Sequence, residues 1–166
     1  MRANMRILIA LFFCLALVAC GFHLRGAGES GKLAFTQVAV EGEGVAAKKL
    51  RDYLASYKGV QLVGQGPSET VIRVLNERYS KDVYSLNNSG RVAEYRLNYR
   101  LTFAATYKGE PVLEDAAVTA ARTLSWNENT LLSNESEEAT LVRDMQQDVL
   151  QLVLRRVSAA INKAKQ

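Results

Sequence analysis

The longest regular pattern in the chain follows Gly90. Tyr95, Leu97, Tyr99, Leu101, Phe103, Ala105 and Tyr107 hold one parity, while Glu94, Arg96, Asn98, Arg100, Thr102 and Thr106 hold the other. Alternation sustained over this length predicts a strand with one packed face and one face turned to water or to a polar partner. A slip of one residue would turn the large apolar groups outward, so the register is strongly specified. Ahead of it, Thr70 to Leu86 is rich in strand formers, and Asn87-Asn88-Ser89-Gly90 supplies the residues of a hairpin turn. Parity drifts along that arm: Ile72 and Val74 fall on one side, Tyr79 and Val83 on the other. A bulge between Asn76 and Ser80 is the expected cause. Lys108-Gly109-Glu110-Pro111 marks a second turn, and Val112 to Leu124 continues as a third antiparallel strand. Its small residues, Ala117, Ala120 and Ala121, leave room for something bulky to pack against them.

Helical spacing occurs twice. Ala46, Leu50, Tyr53, Leu54 and Tyr57 form one stripe, with Lys48, Lys49, Arg51 and Asp52 on the other side, and the pattern stops near Gly59. Leu141, Met145, Val149, Leu152, Val153, Leu154, Val157 and Ile161 give a second, broader stripe. Asn134 with Glu137 three positions on predicts a capping box and a helix from Asn134 to about Ile161. Leu33 to Val40 reads as a first strand ending at Gly42-Glu43-Gly44, and Val60 to Val63 as an edge strand or extended connector. The order predicts an α+β fold in which two amphipathic helices pack on one face of a mixed, mostly antiparallel sheet of about four strands. The first strand joins that sheet after a helical crossover.

The start of the chain has a different pattern. Arg2 and Arg6 precede an uncharged apolar run from Ile7 to Val18, too short to span a bilayer, and Leu17-Val18-Ala19-Cys20-Gly21 follows. This predicts a lipoprotein signal over residues 1–19, with Cys20 as the first mature residue, carrying S-diacylglycerol and an N-palmitoyl group. An ordinary secretory signal with a chance cysteine is the competing reading. Two or three acyl chains hold a protein to a membrane almost permanently. Gly21, where an Asp commonly signals inner-membrane retention, favours the outer membrane. Residues 20–32, with glycines and no hydrophobic rhythm, read as a lipidated tether, and 33–166 as one domain.

Removing residues 1–19 leaves 147 residues and lowers the formal charge from +4 to +2. Basic and acidic residues are interspersed, which argues against nucleic-acid binding. Cys14 is lost with the signal and Cys20 is consumed by lipid, so no thiol remains for a disulfide, metal or nucleophile, and the lone His23 lies beside the anchor. Nucleotide-binding, hydrolase and metalloprotease motifs are absent, and no catalytic residue, cofactor or metal is expected. The acids from Asn134 to Glu138 lack the ligand spacing of a calcium loop and read as a solvated helix start. The tyrosines of the long strand share one parity and read as core rather than a stacking platform. Arg96, Asn98, Arg100 and Thr102 form a polar stripe that faces solvent or a water-lined cavity. The hairpin turn is flanked by Lys81 and Arg91, and Arg can grip phosphate with paired hydrogen bonds; an ordinary polar loop tip is the plainer reading.

The mature opening Cys20-Gly21-Phe22-His23-Leu24-Arg25-Gly26 resembles the CGxxLRG start of the LptE family of LPS-assembly lipoproteins. The resemblance extends to Gly90-Arg91-Val92-Ala93-Glu94-Tyr95, to Arg122-Thr123 and to the terminal amphipathic helix. It implies a non-catalytic outer-membrane subunit that plugs the lumen of the LptD β-barrel, helps it assemble and binds lipopolysaccharide. It also implies two helices on a four-stranded sheet, and lipid A contacts from basic residues near the hairpin loop and the start of the last helix. Asn88 and Asn134 hold those two positions here, and neither is basic. The expected lipopolysaccharide contacts are therefore Arg91, Lys81 and Asn88. Two other readings stand beside this one: a free-standing lipoprotein that binds lipid or envelope polymer without a barrel, which would need an apolar groove, and a periplasmic enzyme, which would need acids or bases converging in a cleft.

Overall fold

A tight exit from the first strand sets the arrangement. The computed structural model describes residues 33–64 and 68–166. The expected signal, Cys20 and the tether lie outside them. In chain order the elements are β1 (Gln37–Glu41), α1 (Val45–Ala55), β2 (Gln61–Leu62), β3 (Thr70–Leu86), β4 (Val92–Tyr107), β5 (Glu110–Ser125) and α2 (Leu131–Ala164). The strands form one sheet in the order β2-β1-β3-β4-β5. β1 runs parallel to both β2 and β3, and the β3-β4-β5 meander is antiparallel. The α+β class is as expected. The sheet has five strands rather than about four, because Gln61 and Leu62 pair with Gln37 and Val38 and add β2 at the edge.

Three boundaries differ from expectation, each for a hydrogen-bonding reason. β1 begins at Gln37 instead of Leu33: the Ala34 amide donates to Ser158 Oγ (3.3 Å) and the Thr36 amide to Glu69 (3.2 Å), so neither enters the ladder. Phe35 is nonetheless buried in the core. α2 starts at Leu131, not Asn134; the Asn134 amide already donates to the Thr130 carbonyl at 3.0 Å, as inside a helix. The predicted capping box does not form, because the Asn134 side-chain amide donates to the Asn127 carbonyl (2.7 Å). β5 runs on through Pro111 to Glu110, which an edge strand tolerates since its outer N–H groups have no ladder to join. The turn before it is Lys108-Gly109, both at positive φ (52° and 86°), the geometry of a two-residue hairpin.

β3 carries the irregularity that matters most. The register with β4 shifts between Val74 and Asn76, placing the bulge at Leu75, one residue ahead of the expected stretch. Before it, Ile72 and Val74 face the helices; after it, Glu77, Tyr79, Lys81 and Val83 pair with Leu101, Tyr99, Leu97 and Tyr95, which is the helix-facing parity of β4. The extra residue thus keeps both halves of β3 aimed at the same face. At this point the chain leaving β1 passes very close: a Cβ on Gly42 (φ 105°) would lie 2.5 Å from the Val74 carbonyl oxygen.

That geometry delivers Glu77 to the start of α1. The N-cap is Gly44, which has no side chain, and the first turn contains no acid of its own. Glu77 Oε2 accepts from the Ala46 amide at 2.9 Å, and Oε1 accepts from the Tyr99 hydroxyl. A carboxylate there satisfies an otherwise orphaned donor and opposes the positive end of the helix dipole. Burial, then the bond to Glu77, raises the Tyr99 hydroxyl well above its ordinary pKa.

Both helices cover one side of the sheet. Ala46, Ala47, Leu50 and Leu54 of α1, together with Met145, Val149, Leu150, Val153, Leu154, Val157 and Ile161 of α2, close over Leu97, Tyr99, Leu101 and Phe103. Small residues on β5 make room for the rings, since Ala120 lies opposite Tyr99 and Ala116 opposite Phe103. Each large side chain so buried contributes about 2–3 kcal/mol by removal from water.

Glu77→Ala is expected to lower unfolding free energy by about 2 kcal/mol, because it removes a charged cap and leaves the Tyr99 hydroxyl without its acceptor. Urea titration measures this, and a loss under about 0.5 kcal/mol would show that the cap contributes little.

Candidate functional site

One end of the fold gathers the β3-β4 turn, the connector from β5 to α2 and the first turns of α2. The turn is organised by Asn87, whose Oδ1 accepts from the Ser89 and Arg91 amides (2.9 and 3.0 Å) while its own amide donates to the Arg91 carbonyl (2.7 Å). Asn88 is exposed at the tip. Arg91 is also exposed and reaches across to Glu128 on the connector at 3.0 Å. An ion pair this open to water adds little stability, so the guanidinium is available to exchange partners. The Trp126 amide donates to the Ala93 carbonyl at 2.8 Å and ties the connector to β4.

Lys81 lies elsewhere. It is on the helix side of β3, with Nζ 4.6 Å from the centre of the Tyr95 ring, 4.5 Å from that of Trp126 and 2.5 Å from Glu138 Oε2. Tyr95 and Trp126 meet edge to face at 5.1 Å. Glu138 Oε1 accepts from the Tyr79 hydroxyl at 2.7 Å. The lysine and glutamate side chains are each only about a quarter exposed (25% and 24%). Burial alone would raise the Glu138 carboxyl, but the hydrogen bonds from Lys81 and Tyr79 and the charge of Lys81 outweigh it and leave the group below its usual value. Burial and the bond to Glu138 raise the Tyr79 hydroxyl. This cluster fastens α2 to the sheet.

The structure therefore brings Asn88 and Arg91 together at an exposed tip and gives Lys81 a different set of partners. Asn134 is buried and pins the connector rather than facing outward. The acids at the start of α2 are not uniformly solvated: Glu135 and Glu137 are exposed, whereas Glu138 is paired. Tyr79, Trp126 and Glu138 escape a reading of the sequence because the bulge decides which face Tyr79 and Lys81 share. Around this end Val83, Tyr84, Leu86, Leu131 and Leu132 are exposed, Leu132 at 84%. On the opposite side of the sheet Arg96, Asn98, Arg100 and Thr102 form the polar stripe that their parity predicts, with no helix over it. Among the described residues no three His, Cys, Asp or Glu converge as metal ligands, and no helix is long and apolar enough to cross a membrane.

Comparison with known proteins agrees with this architecture. The family model described as LptE, lipopolysaccharide-assembly, matches residues 34–157. The chain is 25% identical over 161 residues to the LPS-assembly lipoprotein LptE of Pectobacterium atrosepticum, covering 95% of this chain and 86% of that one. Among solved structures it is similar to lipoprotein B of Nitrosomonas europaea, with TM-score 0.72, 27% identity, and coverage of 86% of this chain and 93% of the other. The rare lipoprotein B of Shewanella oneidensis gives TM-score 0.71 at 20% identity, covering 79% and 100%, a likeness of fold alone.

Because the Glu138 carboxyl has a lower pKa folded than unfolded, its stabilisation is complete above the ordinary carboxylate range and is lost as pH falls through the folded value. Glu138→Gln is expected to destabilise by about 1 kcal/mol near pH 7, and its gap to the unsubstituted protein should close as pH falls through and below the carboxylate range. Urea midpoints across that range test it; a gap constant with pH would remove the carboxylate from the explanation.

Proposed function

The chain belongs to the LptE family of lipopolysaccharide-assembly proteins, and on that premise we propose that it occupies the lumen of an LptD-type outer-membrane β-barrel, helps that barrel assemble and binds lipopolysaccharide during its transfer to the outer leaflet. Its role is in lipopolysaccharide assembly, as a non-enzymatic, membrane-associated lipoprotein. The observation that carries the finer reading is the family match across residues 34–157, which includes the hairpin, the polar strand face and most of α2. Physical character supports it: large barrels have polar interiors, and a plug must offer them a polar surface while keeping its own core closed. The exposed residues of β3, β4 and β5 supply that surface.

In this reading residues 1–19 are the signal, Cys20 carries the acyl chains, residues 20–32 are the tether to the outer membrane, and 33–166 form the plug. Arg91 and Asn88 at the hairpin tip are the lipopolysaccharide contacts, with Arg91 leaving Glu128 to grip a phosphate through paired hydrogen bonds. Lys81 contributes by holding the aromatic floor beneath that end.

Extraction of a tagged copy in mild detergent, followed by mass spectrometry, is expected to recover a large outer-membrane barrel with it; recovery of the protein alone would sink the plug reading. Arg91→Glu is expected to weaken lipopolysaccharide capture in a pull-down by roughly tenfold, the size of one charge-assisted contact. Unchanged capture would return the tip to an ordinary hairpin turn.

A further inference from the structure

The outer face of the sheet holds a juxtaposition that the fold itself does not need. Arg78 and Arg100 are direct cross-strand partners on β3 and β4, both exposed. Their neighbours on that face are Asn76 and Ser80 along β3, Asn98 and Thr102 along β4, and Thr119 opposite Arg100 on β5. None is a carboxylate, and among the described residues neither guanidinium has an ion pair or side-chain hydrogen bond. Like charges directly opposite on one sheet face destabilise a strand pair. Other cations of the sheet have partners: Arg73 pairs with Glu41 (2.8 Å) and Arg122 with Asp148, while Arg96, without an ion pair, donates to the Thr123 hydroxyl (3.3 Å) and lies over the Tyr84 ring. The unmatched pair lies at mid-sheet, eight residues before the end of β3, about 26 Å at the usual strand rise from where that strand enters the hairpin turn.

We propose that this face is the surface that seats against the protein partner, and that the partner presents one or more carboxylates to Arg78 and Arg100. The inference rests on the plug reading and deepens it by naming the contact surface and its chemistry. The surrounding Asn, Ser and Thr groups suit a flat polar wall, since each can donate or accept a hydrogen bond to whatever side chains that wall projects. Beside the pair the exposed large apolar side chain is Leu75 at the bulge (45% exposed), next to Asn76, and a single such group is too little to hold an acyl chain. Each guanidinium can bind a carboxylate through two N–H groups, which fixes orientation as well as adding attraction. Repulsion within the isolated protein is then relieved on assembly, when the partner's negative charge arrives.

Full-length tagged proteins extracted in mild detergent test this, with barrel recovered per tag measured by mass spectrometry. The double variant Arg78→Glu/Arg100→Glu is expected to lower recovery roughly tenfold or more, because it sets like charges across the interface. Arg78→Glu alone puts a carboxylate opposite Arg100, so it should raise the thermal midpoint of the isolated protein by about 1–2 °C while still lowering recovery. A merely structural role would move stability and recovery down together, and that outcome overturns the proposal. So does undiminished recovery with the double variant, or loss of lipopolysaccharide capture with full barrel recovery, which would make the face a phosphate site. Failure of the unsubstituted protein to recover any barrel instead refutes the plug reading itself, and the proposal falls with it.

Discussion

The extra residue at Leu75 is the constraint on which the rest of the structure depends. Side chains along a strand alternate faces, so one inserted residue inverts the orientation of everything after it. Without the shift, the far half of β3 would send Asn76, Arg78 and Ser80 into the helix layer and leave Glu77, Tyr79 and Lys81 in water. With it, Glu77 reaches the Ala46 amide and the Tyr99 hydroxyl, and Tyr79 and Lys81 reach Glu138. The two helices are thereby held by carboxylates acting in opposite ways. Glu77 comes from the sheet to cap α1, while Glu138 comes from α2 to meet the sheet.

The same shift sorts the cations. Lys81 goes to the helix side, where two aromatic rings and an acid surround it, and Arg78 goes to the outer side, where Arg100 is its cross-strand neighbour. A lysine and an arginine three residues apart thus end in unlike settings, one satisfied within the fold and the other without a partner. The proposed plug role has a use for both. The first makes a rigid platform beneath the hairpin tip, and the second offers charge to a wall outside the chain.

Much of this was legible in the amino-acid pattern. The alternation from Tyr95 to Tyr107 specifies β4, its buried face and its polar face without any other information, because period two has no other solution over that length. The stripe from Leu141 to Ile161 likewise specifies α2 and the face it buries. The drift in parity between Val74 and Tyr79 signals a bulge, although its position at Leu75 follows from where Gly42 crosses Val74. Helix starts were harder, since Asn134 has the chemistry of a cap but spends its amide on Asn127, a partner known only once the connector is folded. At the candidate site, Arg91 and Asn88 could be placed on an exposed tip from the turn residues alone. Glu128, which meets Arg91 from the far side of two strands, could not.

By itself the sequence determined the class of fold, the packed and polar faces of its long strand and helices, and the absence of thiol chemistry from residue 33 onward, because periodicity and residue type act locally. Only the tertiary structure decided which charges are satisfied. Whether Lys81 is buried against Glu138 or Arg78 stands beside Arg100 depends on strand register and on elements distant in the chain, and electrostatic energy is fixed by distance in space rather than by distance in sequence.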